Sequence, residues 1–188
     1  MWIVIVVVGF IVAYVVVAFN SFISLRNRSV NAFADIDVQL KRRHDLVPNL
    51  VAVVQGYASH EKSIFEDVAR LRSRAMQLQN TAERADTETQ LAGAIKSIFA
   101  IAESYPELKA DKNFRDLQAQ LAEVEDHIQY ARRYYNAVVR DLNTKREMFP
   151  SSVIAGMAGV QPLPYFQVAD EEREAVHIDM TEEKQDGG

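Results

Sequence analysis

The chain contains no cysteine, a single tryptophan, seven glycines and five prolines in 188 residues. Without cysteine there is no disulfide framework, no thiolate nucleophile and no cysteine-based metal site. Glycine and proline are the main local breakers of regular structure, so their scarcity leaves room for long helices. Concentrated positive charge is missing too. The net charge is −5, and from Asp170 onward eight acids face two bases, Arg173 and Lys184. That tail carries −6, which leaves about +1 on the rest. A nearly neutral body argues against nucleic-acid binding, which depends on clustered lysine and arginine.

Patterns that carry chemistry are equally scarce. A di-iron bundle needs Glu-x-x-His pairs on facing helices. Of His44, His60, His127 and His177, only His177 has an acid three residues before it, Glu174, and a single such pair in the acidic tail does not make the facing set. His60-Glu61 opens like a zinc-protease motif, but residue 64 is isoleucine, so the second histidine ligand is absent. No glycine-rich phosphate loop is present, and nothing marks a serine with a positioned base and oxyanion hole. The expectation is a non-enzyme without cofactor or metal. Asn27-Arg28-Ser29 matches a glycosylation acceptor by chance.

What is present begins with residues 1–19, MWIVIVVVGFIVAYVVVAF, which hold no charged side chain. As a helix this run covers roughly 28 Å, close to the ~30 Å hydrocarbon core of a bilayer. A cleaved signal peptide would need a basic start and a small-residue cleavage site. No Lys or Arg precedes the run, and the Ala13–Ala18 region is a poor site. A transmembrane helix is therefore expected. Arg26, Arg28, Lys41, Arg42 and Arg43 follow it, so the positive-inside rule puts the N-terminus outside and the remainder in the cytoplasm.

The soluble part reads as helices. Val30, Phe33, Ile36 and Leu40 mark one helical face, continuing directly from the span. Asp45 is expected to cap a second helix with Pro48 in its first turn, running from about Leu46 to about Asn80. Its stripe is Leu50, Val54, Tyr57, Phe65, Val68, Leu71, Ala75 and Leu78. The polar stretch Asn80–Asp86 interrupts the pattern. Thr87 with Gln90 then reads as a capping box opening a third helix, which stops before Pro106.

The fourth helix is the clearest. Phe114, Leu117, Leu121, Val124, Ile128, Ala131, Tyr135, Val138 and Leu142 recur at alternating spacings of three and four, a heptad seam. It can serve a coiled coil between chains or one helix of an intramolecular bundle. The other amphipathic helices favour the latter. Ser151–Phe166 is apolar and Pro/Gly-interrupted; it either packs on the bundle end or dips into the headgroup layer. In the acidic tail, Ala175–Met180 has the pattern of a short extended segment. The expected architecture is all-α: a transmembrane helix (1–19), an antiparallel four-helix bundle (20–149), and an irregular segment with an acidic tail (150–188).

The densest polar cluster comprises Gln39, Lys41, Arg42, Arg43, His44, Asp45 and Asn49. The simpler reading is capping and charge pairing at a helix junction, with Arg42 and Arg43 near one C-terminus and Asp45 near the next N-terminus. The functional reading takes Lys41, Arg42, Arg43, His44, Asp45 and Asn49 as a docking site for a protein partner or anionic lipid.

These residues also carry a resemblance. Phe19-Asn20, Leu25-Arg26-Asn27, Asn31-Ala32-Phe33 and the unbroken run Ile36–Val51 resemble the LemA family. So do Ala102–Ala110, Ala131–Asn136, Phe149-Pro150 and Ile154-Ala155-Gly156. The likeness extends to about Phe166. Phe33 stands where the family usually has Trp, and Phe19 where Tyr is common; both keep an aromatic. The resemblance implies a bacterial cytoplasmic-membrane protein with a short external N-terminus and a cytoplasmic four-helix bundle. Some members of the family are linked to magnetosome membranes. It brings no catalytic residues. The expected function is a scaffold or adaptor in membrane organisation, capable of self-association. The alternative is an accessory subunit of a membrane-bound enzyme or protease.

Overall fold

The computed structural model describes residues 1–78 and 81–166. Six helices follow in order among the described residues: α1 (Trp2–Gln55), α2 (Lys62–Gln77), α3 (Thr81–Ala102), α4 (Pro106–Ala110), α5 (Lys112–Glu147) and α6 (Ser151–Met157). The fold is all-α, as expected. The segment Ala175–Met180 and the acidic tail lie outside the described residues.

α1 is one uninterrupted helix of 54 residues, about 80 Å long at 1.5 Å per residue. Its first turns are exposed on all sides, and the first buried residue is Ala18. Among the described residues this is the one helix long and apolar enough to cross a membrane. From there a buried stripe runs Phe22, Ser29, Ala32, Ile36, Leu40, Arg43, His44, Val47, Leu50 and Val54. Val30 is exposed, so the face is rotated from the one its spacing suggested. Small Ala32 takes the core position, and Phe33 lies edge-on to Tyr135, with centroids 5.6 Å apart. Ser29 is buried and its hydroxyl donates to the Arg26 carbonyl at 2.7 Å.

The expected break at Asp45 does not occur, and Pro48 lies inside α1. A proline there removes the N–H that would bond the carbonyl four residues back, that of His44. Arg72 on α2 repairs the loss: its Nε donates to the His44 carbonyl at 2.7 Å. With its freed acceptor occupied, the helix continues to Gln55. The apolar stripe assigned to one second helix is thus divided between the end of α1 and α2, and Tyr57 in the turn between them is exposed. No helix ends near Arg42–Asp45, so these charges cap nothing.

The start of α3 also differs. It begins at Thr81, and Thr87 lies within it, donating to the Glu83 carbonyl at 2.9 Å. Of the polar residues that looked like a break, Glu83 and Asp86 face outward while Ala85 faces the core, and Arg84 pairs with Asp37 of α1 at 2.8 Å. α3 ends at Ala102, four residues before Pro106, as expected. Asp111 caps α5 by accepting from the Phe114 N–H at 2.9 Å.

Every residue of the α5 seam is buried within the chain. α5 lies antiparallel to α1: Lys145 meets Ser21, Arg43 meets Glu125, and Tyr57 meets Asp111. Two cores result. In the distal one, far from the apolar run, residues of all four long helices interlock, among them Leu50, Val68, Leu91, Ile98 and Leu121. The proximal one joins Ala32, Ile36, Val124, Ile128, Tyr135 and Val139 of α1 and α5 to Phe166. Here α3 contributes Ala85, and the chain after α6 takes the place of α2. It returns along α5 as an extended strap, tied by paired hydrogen bonds. Asn143 both donates to and accepts from Leu163, at 3.0 Å each way. Asn136 does the same with Phe166, at 3.0 and 2.8 Å.

Candidate functional site

The α1 stripe that buries Ile36, Leu40, Val47 and Leu50 also buries Arg43 and His44. Helical periodicity leaves them no other face, because residues three and four apart stack on one side. Their counterpart is Glu88 of α3, which continues the Leu91, Ile95, Ile98 stripe one step upstream. Arg43, His44 and Glu88 are 1%, 4% and 0% exposed, so this is charge inside a core and must be paired to persist.

The pairing is dense. Nη2 of Arg43 donates to Oε2 of Glu88 in a very short contact, and also to the Glu88 carbonyl at 3.1 Å. Nη1 donates to Oε2 of Glu125 on α5 at 2.8 Å. His44 Nε2 lies 2.9 Å from Oε1 of Glu88. Gln129 donates to the other oxygen of Glu125 at 3.0 Å. Since Arg72 of α2 holds the His44 carbonyl, the network touches all four long helices. Burial alone pushes the Glu88 carboxyl upward. The hydrogen bond from His44 and the charge of Arg43 outweigh it and hold the group below the usual carboxylate range. Glu88 is therefore an ionised partner rather than a proton donor in waiting.

Beside the network, α3 and α5 leave an apolar groove of about 210 Å³, walled by Ile95, Phe99 and Leu121 with Arg43 and Glu125 at one side. Among the described residues no group of three or more His, Asp or Glu could hold a metal ion.

The residues singled out in sequence part company here. Arg43 and His44 are interior. Lys41, Arg42, Asp45 and Asn49 are exposed, and Arg42 reaches Glu123 only at 3.9 Å. Glu88, Glu125 and Arg72 were not anticipated. Glu88 had a legible signal, an acid in register with an apolar stripe. Arg72 had none, since its role exists only because Pro48 frees a carbonyl on another helix.

A second ordered site lies in the proximal half. Tyr135 donates to the Pro164 carbonyl at 3.0 Å, and Arg146 Nε to that of Val160 at 3.0 Å. The Arg132 guanidinium stands 4.8 Å from the centre of the Phe166 ring, within cation–π range. Burial pushes the Tyr135 hydroxyl up from its ordinary value.

Comparison with known proteins gives one family match: the LemA family model aligns with residues 32–180. The chain is similar to the magnetosome proteins MamQ 1 and MamQ 2 of Paramagnetospirillum magneticum, at 23% identity over 187 residues, covering 86% of this chain and 68% of each relative. It is also similar to protein LemA of Metamycoplasma hominis, at 25% identity over 167 residues, covering 87% of this chain and 74% of the relative.

Proposed function

Because this chain belongs to the LemA family, we propose that it is a non-enzymatic, single-pass membrane protein that acts as a scaffold or adaptor in bacterial membrane organisation. The observation that carries this reading is the continuity of α1. One helix is an exposed apolar rod at Trp2–Val17 and a core element of the bundle at its other end. A bilayer supplies the missing partner for the apolar part, since a helix satisfies its own backbone in lipid. The bundle then stands on the membrane with no hinge between them. Arg26 and Arg28, just beyond the apolar run, support an orientation with the bundle in the cytoplasm. The charge-paired Arg43–Glu88–Glu125 network reads as a structural tie rather than a reactive centre. Relatives named as magnetosome proteins support a membrane-organising role.

Crosslinking full-length protein in native membranes tests this. Specific neighbours or discrete oligomers are expected. Recovery in the soluble fraction, or random contacts alone, removes the reading.

A second reading, an accessory subunit of a membrane enzyme, draws on the exposed quartet Lys41, Arg42, Asp45 and Asn49. Its test is the pair Lys41→Glu and Arg42→Glu, both on the outer face. Loss of one co-purifying partner from an intact bundle supports it, and an unchanged set of partners rejects it. Arg43 is unsuitable for such a test because its reversal would put two like charges in the core.

A further inference from the structure

The proximal end of the bundle carries an apolar face that the fold does not cover. Phe149, Val153 and Met157 are 82%, 55% and 87% exposed. Val153 and Met157, four residues apart, share one side of α6, and Phe149 lies in the turn that leads into it. The opposite side of α6, Ser151, Ile154 and Ala155, is buried. Met148 adds to the exposed patch. A soluble surface gains nothing from such a cluster, because exposed apolar side chains scattered singly are ordinary and a contiguous set is not.

Its height along α1 identifies the occupant. Lys145 bonds Ser21, and its ammonium lies 5.5 Å from the centre of the Phe22 ring. The last turn of α5 is therefore level with the first turn after the apolar run. α6 comes next and packs on α1. Protein cover of α1 begins at Ala18, still within that run. Ala158, Gly159 and Val160 line a cleft with Phe19, Phe22 and Arg26. The uncovered face thus sits where the span leaves the bilayer. Cationic groups lie beside it: Arg26 of α1 lines that cleft, and Lys145 and Arg146 of α5 reach Ser21 and the Val160 carbonyl. Lysine and arginine beside an apolar patch complement an anionic headgroup layer.

We propose that α6 and the turn before it form an interfacial foot, with Phe149, Val153 and Met157 seated in the headgroup layer of the membrane that α1 crosses. The inference rests on the membrane reading above and extends it: the bundle meets the bilayer at two points, the α1 rod and the foot. Two contacts fix its tilt, where one leaves it free to lean.

The absence of native cysteine makes the test direct. Single cysteines replace Phe149, Met157, Val8 or Tyr134 in the full-length chain, each an exposed position. Each carries a nitroxide label. The proteins are reconstituted into phosphatidylcholine vesicles containing phosphatidylglycerol. Collision with oxygen, which concentrates in lipid, is compared with collision with a water-soluble nickel chelate. Labels at Phe149 and Met157 are expected to favour oxygen, at a depth shallower than Val8, while Tyr134 favours nickel. If they follow Tyr134 while Val8 remains in lipid, the foot is wrong and the span stands. If Val8 itself is open to nickel, span and foot fall together. Dipolar broadening between Met157 labels would give the face to a second copy of the chain and overturn the proposal.

Discussion

The distal and proximal halves solve the same problem by different means. Both must cover the buried stripes of α1 and α5. The distal half does so with two more helices, α2 and α3, whose backbone bonds are internal, so only side chains need to fit. The proximal half uses an extended strap, residues 160–166, which brings unpaired N–H and C=O groups against the bundle. Buried backbone polar groups need partners. Asn136, Asn143, Tyr135 and Arg146 supply them. The spacing fits: two turns of helix between Asn136 and Asn143 rise about 10.5 Å, and three extended residues from Leu163 to Phe166 cover about 10 Å. At the junction of the two cores, polar specificity is concentrated in one buried network. A bundle can therefore be closed by irregular chain where helix side chains replace the missing ladder.

The largest effect is expected where the two halves meet. Arg43→Met removes the cation shared by Glu88 and Glu125 and leaves Glu88 buried and uncompensated. A loss of about 3–5 kcal/mol is expected, read by denaturant unfolding. Adding Glu88→Met should recover much of it, because two apolar residues there pack without a charge penalty. If the single variant is as stable as the parent, the network is not what ties the four helices.

Next is the strap. Asn143→Ala deletes a donor and an acceptor at once, leaving both polar groups of Leu163 unpaired. We expect a loss of roughly 1–3 kcal/mol. Amide exchange should rise at Leu163 and Phe166, with distal amides such as Leu50 and Leu91 unchanged. Faster exchange in both halves together would mean that they are one cooperative unit.

A coupled effect of the same order, on a single acceptor, is expected at the proline. Arg72→Ala strands the His44 carbonyl and should cost about 1–3 kcal/mol. In a Pro48→Ala background the helix can bond that carbonyl itself, so the same change should cost less. Additive effects would reject the repair.

The smallest concerns pH. The Glu88 carboxyl titrates lower in the folded protein than in the unfolded chain. Its contribution is full above the ordinary carboxylate range, near 4.3, and fades as pH falls through the lower folded value. Denaturant midpoints should therefore drop more steeply with acid below about pH 4.3 in the parent than in Glu88→Gln. Parallel slopes would place the titration elsewhere.

Patterns that run through both halves were the most legible. The α5 seam and the apolar run stood out because their periods depend on many residues and survive local exceptions. Pro48 and Thr87 misled for the opposite reason: each is a single local signal, and each is overridden by something distant in sequence. Arg72 takes up the carbonyl that Pro48 frees. The outward face of α3 tolerates polar residues that looked like a break. Within the polar cluster, the types of Arg43 and His44 could be read but not their burial, which depends on Glu88 arriving from another helix. The strap gave no warning, since Asn136 and Asn143 look like ordinary surface amides until an extended chain lies against them.

Because nothing interrupts α1 between Ala18 and Gln55, those turns form a pointer about 55 Å long at 1.5 Å per residue. A lean of 10° at its base carries its far end sideways by about 10 Å. Whatever inclines the apolar portion, including a change in bilayer thickness, is thereby magnified at the opposite pole of the molecule.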